Sequence, residues 1–146
     1  MSEHDPLLPI DPDAAPSPEP VWDIALAVAL GGAVGGGLRY LLNVALSGPE
    51  TAFPWSTFIE NVVGCFLLGV LMVFVLEVWS PTRYVRPFLG VGVLGGFTTF
   101  SAYTVDTHRL LAAGEVPLGM AYLFGSVAVG LAASWAGIQL TRRLAT

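Results

Sequence analysis

Four apolar runs dominate this chain, at about residues 24–46, 57–76, 88–111 and 118–140. Each is close to the ~20 residues that an α-helix needs to cross ~30 Å of hydrocarbon. Turn-forming groups separate them: Ser47-Gly48-Pro49-Glu50, Ser80-Pro81-Thr82-Arg83 and Gly114-Glu115-Val116-Pro117. A soluble four-helix bundle would show polar residues at helical spacing on its outer faces, and these runs show none. Charged residues make up only 12% of the chain, against about 25% in ordinary globular domains. The sequence therefore predicts an all-α membrane protein, with four transmembrane helices in one membrane domain over residues 23–146.

The net charge of −5 belongs to the N-terminal segment. Six of the eleven acids (Glu3, Asp5, Asp11, Asp13, Glu19, Asp23) lie within its first 23 residues, among six prolines. Such a segment buries too little apolar surface to offset its ordering entropy, so residues 1–22 are expected to be a disordered acidic tail. Negative charge ahead of the first apolar run also argues against a signal peptide. Beyond the tail, six Arg stand against five acids and Lys is absent, which leaves no basic patch for nucleic acid. Cys65 is the sole cysteine; it excludes an intrachain disulfide, and its apolar surroundings favour a packing role.

An even number of spans puts both termini on one side, with the connection between spans two and three. That side holds Arg83, Arg86, Arg142 and Arg143, and the other holds Arg39 and Arg109. Arg asymmetry sets orientation. A bias this weak fits a chain that inserts both ways round, and fits a single orientation as well.

Polar groups inside the spans carry the functional signal. In the third run, Gly95-Gly96-Phe97-Thr98-Thr99-Phe100-Ser101 is poor continuous helix. Irregular backbone at membrane depth needs cover from protein or a water-filled cavity. The pattern predicts a broken helix near Gly95–Thr99, with freed carbonyls for a cation and a half-helix N-terminus for an anion. A close helix contact through small residues is the structural alternative. Asn61, an amide in span two, must meet a partner helix or line a pore. Arg39 and Glu60 are intramembrane charges near the same membrane face, which places a mutual ion pair within reach. The Gly31-Gly-Ala-Val-Gly-Gly-Gly37 stretch puts small residues at four-residue spacing and predicts a close helix–helix interface. No nucleophile–base pair, phosphate loop or dinucleotide fingerprint points to an enzyme, and no His, Cys and carboxylate group stands at metal-site spacing.

Taken together, three segments resemble the Fluc (CrcB) fluoride channel family. They are Gly31 to Tyr40 in span one, Asn61-Val-Val-Gly-Cys-Phe66 with Gly69 in span two, and Gly95 to Ser101 in span three. The likeness extends from about residue 24 to residue 140. The resemblance implies an antiparallel, dual-topology homodimer in the inner (cytoplasmic) membrane, exporting fluoride passively through narrow pores. It implies that Asn61, Phe100, Tyr103 and Ser101 line the fluoride path, with a weaker match at Tyr122 and Ser126. Arg39 would stand near the aqueous vestibule. The backbone carbonyls of Gly95 and Thr98 would bind a structural sodium ion at the dimer interface. Four positions depart from the family pattern: Tyr103 where Phe is usual, Ala102 for Thr, Asp106 for Glu, and Glu60 at a commonly apolar position. The rival reading is a proton-coupled small-molecule exporter, with Glu60 as its titrating carboxylate. A third is an assembly subunit that conducts nothing.

Overall fold

A computed structural model describes residues 21–49, 51–78 and 83–145. The expected tail at 1–22 lies outside them except for its last two residues, and Trp22 is already helical. The described residues form four helical spans with no strand: α1 (Trp22–Ala45), α2 (Trp55–Val73) prolonged by a π-helical segment Phe74–Val78, a composite third span, and α5 (Val116–Ala145). The third span starts as a π-helical segment Arg86–Leu94, passes through one α-turn, α3 (Gly95–Phe97), breaks, and resumes as α4 (Phe100–Ala112). All four are long and apolar enough to cross a membrane, and the chain is a multi-pass membrane protein. Except at the C-terminal end of α1, their ends reach one to five residues beyond the apolar runs, because helical hydrogen bonding continues past the hydrocarbon edge into the interface.

Two helix pairs carry the packing, α1 against the first half of the third span and α2 against α5. Lipid tails are as apolar as Leu, so helices in a membrane associate through close van der Waals contact, and small residues permit it. A Cβ placed on Gly35 would meet the Val93 carbonyl, and one on Gly31 the Phe88 carbonyl. From the other side, a Cβ on Gly92 would lie 2.8 Å from Gly31 Cα, and one on Gly96 2.8 Å from the Gly32 carbonyl. The α2–α5 seam uses the same device: Gly69 abuts the Ser134 carbonyl, and Gly137 the Phe66 carbonyl. The small-residue stretch of span one is therefore a helix interface within the subunit.

The two membrane faces carry different polar groups. At one, Asp23 of α1 accepts from Tyr84 at 2.7 Å and pairs with Arg83 at 3.2 Å, while Arg142 of α5 donates through Nε to Glu77 at 2.9 Å. At the other, Gly114 turns α4 into α5 with a φ of 84°, a left-handed conformation that glycine adopts without a Cβ penalty.

Ala has the better helix propensity, so a Gly→Ala change inside α1 reports on packing by its sign. Gly35→Ala is expected to destabilise the helical fold by about 1–3 kcal/mol through overpacking. Gly36→Ala, with nothing within 4 Å of the added methyl, is expected to be neutral or mildly stabilising. Thermal melts followed by circular dichroism in detergent compare the two.

Candidate functional site

The break in the third span is built by one amide. Thr98 (φ −81°, ψ 157°) and Thr99 (φ −149°, ψ 123°) are extended rather than helical. Asn61 of α2 meets this stretch with both ends of its side chain: Nδ2 donates to the Thr99 carbonyl, and Oδ1 accepts from the Thr99 N–H, each at 2.9 Å. The amide thus stands in for a neighbouring peptide group. Thr99 then caps α4, its hydroxyl accepting from the Ala102 N–H at 3.1 Å.

Both diversions free carbonyls. In a continuous helix the Thr99 N–H would go to Gly95 and the Ala102 N–H to Thr98; here they go to Asn61 and to Thr99 Oγ1. The Gly95 and Thr98 oxygens lose those helical partners. Arg39 Nη1 reaches from α1 to the Thr98 carbonyl at 3.3 Å. Arg39 and Glu60 do not form the ion pair that their membrane depth suggested. The carbonyl freed at the break draws the guanidinium, and Asn43, one turn after Arg39, binds Glu60 instead through Nδ2 at 2.6 Å.

Beside the break lies an open groove of about 480 Å³. Its walls include Asn61, Gly95, Thr98, Phe100, Tyr103 and Ser126, six residues that the sequence singled out. Asn61 has one N–H left after bonding Thr99, since its amide carries two. The Ser126 hydroxyl is buried with no partner. Phe100 is 79% exposed, and its ring lies 5.7 Å, centroid to centroid, from that of Tyr103.

The other singled-out residues fall elsewhere. Ser101 is exposed at the start of α4, 3.2 Å from Thr99 Oγ1. Tyr122 is fully buried behind Tyr103, in ring contact with it and with Phe53. The extra hydroxyl that Tyr103 brings is turned out of the groove, donating to the Leu123 carbonyl of α5 at 2.6 Å. A second hollow, about 300 Å³, opens toward the α1–α2 connection. Arg109, Asp106, Asn43 and Thr57 line this mouth. Thr57 donates to Asp106 at 2.7 Å, and Arg109 pairs with Asp106 at 3.2 Å. Sequence reasoning passed over Asn43 and Thr57. The available signal was their spacing, one turn from Arg39 and from Glu60 on the same helices.

Residues 26–138 match the family model described as CrcB-like protein, Camphor Resistance (CrcB). A Streptomyces avermitilis protein named a fluoride-specific ion channel is 51% identical over 119 residues, covering 82% of this chain and 58% of its own length. A Nocardia farcinica protein of the same name is 49% identical over 121 residues, covering 82% of this chain and 86% of its own. A Nitrobacter winogradskyi relative, also so named, is 42% identical over 124 residues, 83% of this chain and 97% of its own length. The glycine seams, the broken third span and the Asn61 clamp are thus features of a chain that belongs to the CrcB-like family.

Proposed function

We propose that this chain is a fluoride-selective channel subunit that lets fluoride leave the cell passively across the inner (cytoplasmic) membrane and so protects against its toxicity. One observation carries the reading beyond the relatives' names: a mainly apolar groove at membrane depth with a few polar groups set into it, bounded by the Asn61 amide, the extended Thr98–Thr99 backbone and the Phe100 and Tyr103 rings. Fluoride is small and strongly hydrated, so it enters only where fixed donors replace water. The spare N–H of Asn61 and the unpartnered Ser126 hydroxyl are such donors. Aromatic edges carry partial positive charge, and an edge-on ring touches an anion weakly enough for it to leave, as conduction requires. The chain acts as a conduit, with no bond made or broken.

A groove of this kind cannot face lipid, since irregular backbone at that depth needs protein or water over it. A second copy, inserted in the opposite sense, would close it and cover the exposed Phe100. The weak Arg asymmetry between the two faces suits such an antiparallel homodimer. The freed Gly95 and Thr98 carbonyls fit a hard cation, which takes oxygen ligands. Thr98 keeps a lone pair beside its bond from Arg39. These two carbonyls, with the same pair from the second copy, would hold a sodium ion. When bound, that ion would tie the two breaks together and supply positive charge near the anion path.

Fluoride efflux from liposomes holding the purified protein, read with a fluoride electrode under valinomycin and potassium, tests the reading. Fast efflux without chloride release is expected; silence from folded dimer would remove it. Phe100→Ile is expected to lower the initial rate by about tenfold or more while the protein still elutes as a folded dimer; Asn61→Asp, which loses the donor to the Thr99 carbonyl, is expected to lower both the rate and the stability of the fold. Tyr103→Phe is expected to leave flux near wild type, because its hydroxyl is spent on Leu123. It should cost about 1 kcal/mol of stability through that hydrogen bond.

A further inference from the structure

Glu60 is the buried ionisable group that the groove itself does not use. Its exposure is 0% in the isolated subunit, so a second copy can only add cover. Its Oε1 accepts from Asn43 Nδ2 at 2.6 Å, and Oε2 has no partner. Asn43 Nδ2 also donates to the Arg39 carbonyl at 2.9 Å, which fixes the amide with its donor end toward the carboxyl. The charged and titratable groups around Glu60 are Arg39 from α1, Asp106 from α4 and Tyr122 from α5. Arg39 is the one cation among them, and it acts on Glu60 from beyond ion-pair distance. Arg39 is turned to Thr98, and Asp106 is satisfied by Thr57 and Arg109. Among the described residues no cation lies within ion-pair distance of Glu60.

A buried carboxylate with one hydrogen bond and no ion-pair partner is costly, and such a group takes up a proton instead. Its place gives that proton a consequence. Asn43, to which Glu60 is bonded, lines the mouth together with Thr57 one turn before it; Asn61, the next residue, lines the groove. The carboxyl lines neither hollow itself; it lies behind a residue of the mouth and on the same helix as the adjacent residue of the groove.

We propose that Glu60 is a proton-operated gate between mouth and groove, open to fluoride as the neutral acid and closed as the carboxylate. This rests on the channel reading and adds a control to it. The neutral acid offers an O–H, a hydrogen-bond donor of the kind a strongly hydrated anion needs. The carboxylate offers only acceptors, and in a site of low dielectric its charge repels another anion strongly. The proton is exchanged with water in the mouth, and the gate consumes nothing.

The test is the initial rate of fluoride efflux from liposomes, measured from mildly acidic to mildly alkaline pH with equal pH on both sides and the leak of protein-free liposomes subtracted. Wild-type flux is expected to fall by about tenfold or more as pH rises. Glu60→Gln, which keeps the shape and an N–H donor without a charge, is expected to conduct at one rate across the range. A flat wild-type profile, or a Glu60→Gln profile that falls like the wild type, overturns the gate while leaving the channel intact. Wild-type silence at every pH would instead remove the channel reading and the gate with it. Infrared spectroscopy of the wild type covers the case in which Glu60→Gln does not fold. A protonated-carboxyl band that disappears over the same pH range as the flux supports the gate, and the lack of any such band where flux is maximal overturns it.

Discussion

Two hydrogen bonds between the Asn61 side chain and the Thr99 backbone hold the part of this structure on which the rest depends. In hydrocarbon an unsatisfied peptide group costs several kcal/mol, so a helix can break at membrane depth only where another group replaces the lost partners. A side-chain amide has the donor and the acceptor of a peptide, and Asn61 presents both to one residue. Once Thr99 is held extended, the other features follow locally. Its hydroxyl caps α4, the Gly95 and Thr98 carbonyls lose their helical donors, and the Phe100 ring is carried to the outside of the subunit.

That clamp needs α2 and the third span to approach closely, and the glycines provide the approach. A Cβ on Gly64, one turn after Asn61, would run into the Thr98 methyl group, so the break sits in the hollow that a missing side chain leaves. The Gly31, Gly35, Gly92 and Gly96 contacts fix the first half of the third span against α1, and Gly69 and Gly137 fix α2 against α5. The break is thus wedged between two rigid pairs, which lets one amide hold it without a longer polar network.

Much of this was legible in the sequence. Hydropathy and length give the four spans, because the bilayer imposes its thickness on every one of them. The Gly-Gly and Thr-Thr pairs mark the break, since propensity disfavours continuous helix there. What spacing could not supply was azimuth and neighbour. Arg39 and Glu60 share a depth, yet depth does not say which way each side chain turns. The freed Thr98 carbonyl, invisible until the chain folds, redirects the arginine. Likewise the Tyr103 hydroxyl was expected on the groove wall and is found on the Leu123 carbonyl, because α5 offers an acceptor behind the ring. Tyr122 was grouped with the lining and lies behind it, in the aromatic cluster around Phe53.

Among the described residues, three acids pair with an arginine, Glu115 is exposed to solvent, and Glu60 has neither advantage. Asp23 pairs with Arg83 and Glu77 with Arg142 at one membrane face, and Asp106 with Arg109 at the other. Asp23 and Glu77 are exposed and screened, and Asp106, though largely buried, is matched by Arg109 and Thr57, so each is of small consequence for an anion passing nearby. Glu60 is different in both respects, since it is fully buried and its one polar contact is a neutral amide. Its side chain could have been apolar at no loss to the Asn61 clamp, which uses none of its atoms. A packing role therefore leaves its polarity unexplained. Its position between the mouth residue Asn43 and the groove residue Asn61 gives that polarity a use, because the charge of a carboxyl there decides whether the neighbouring path is open to an anion.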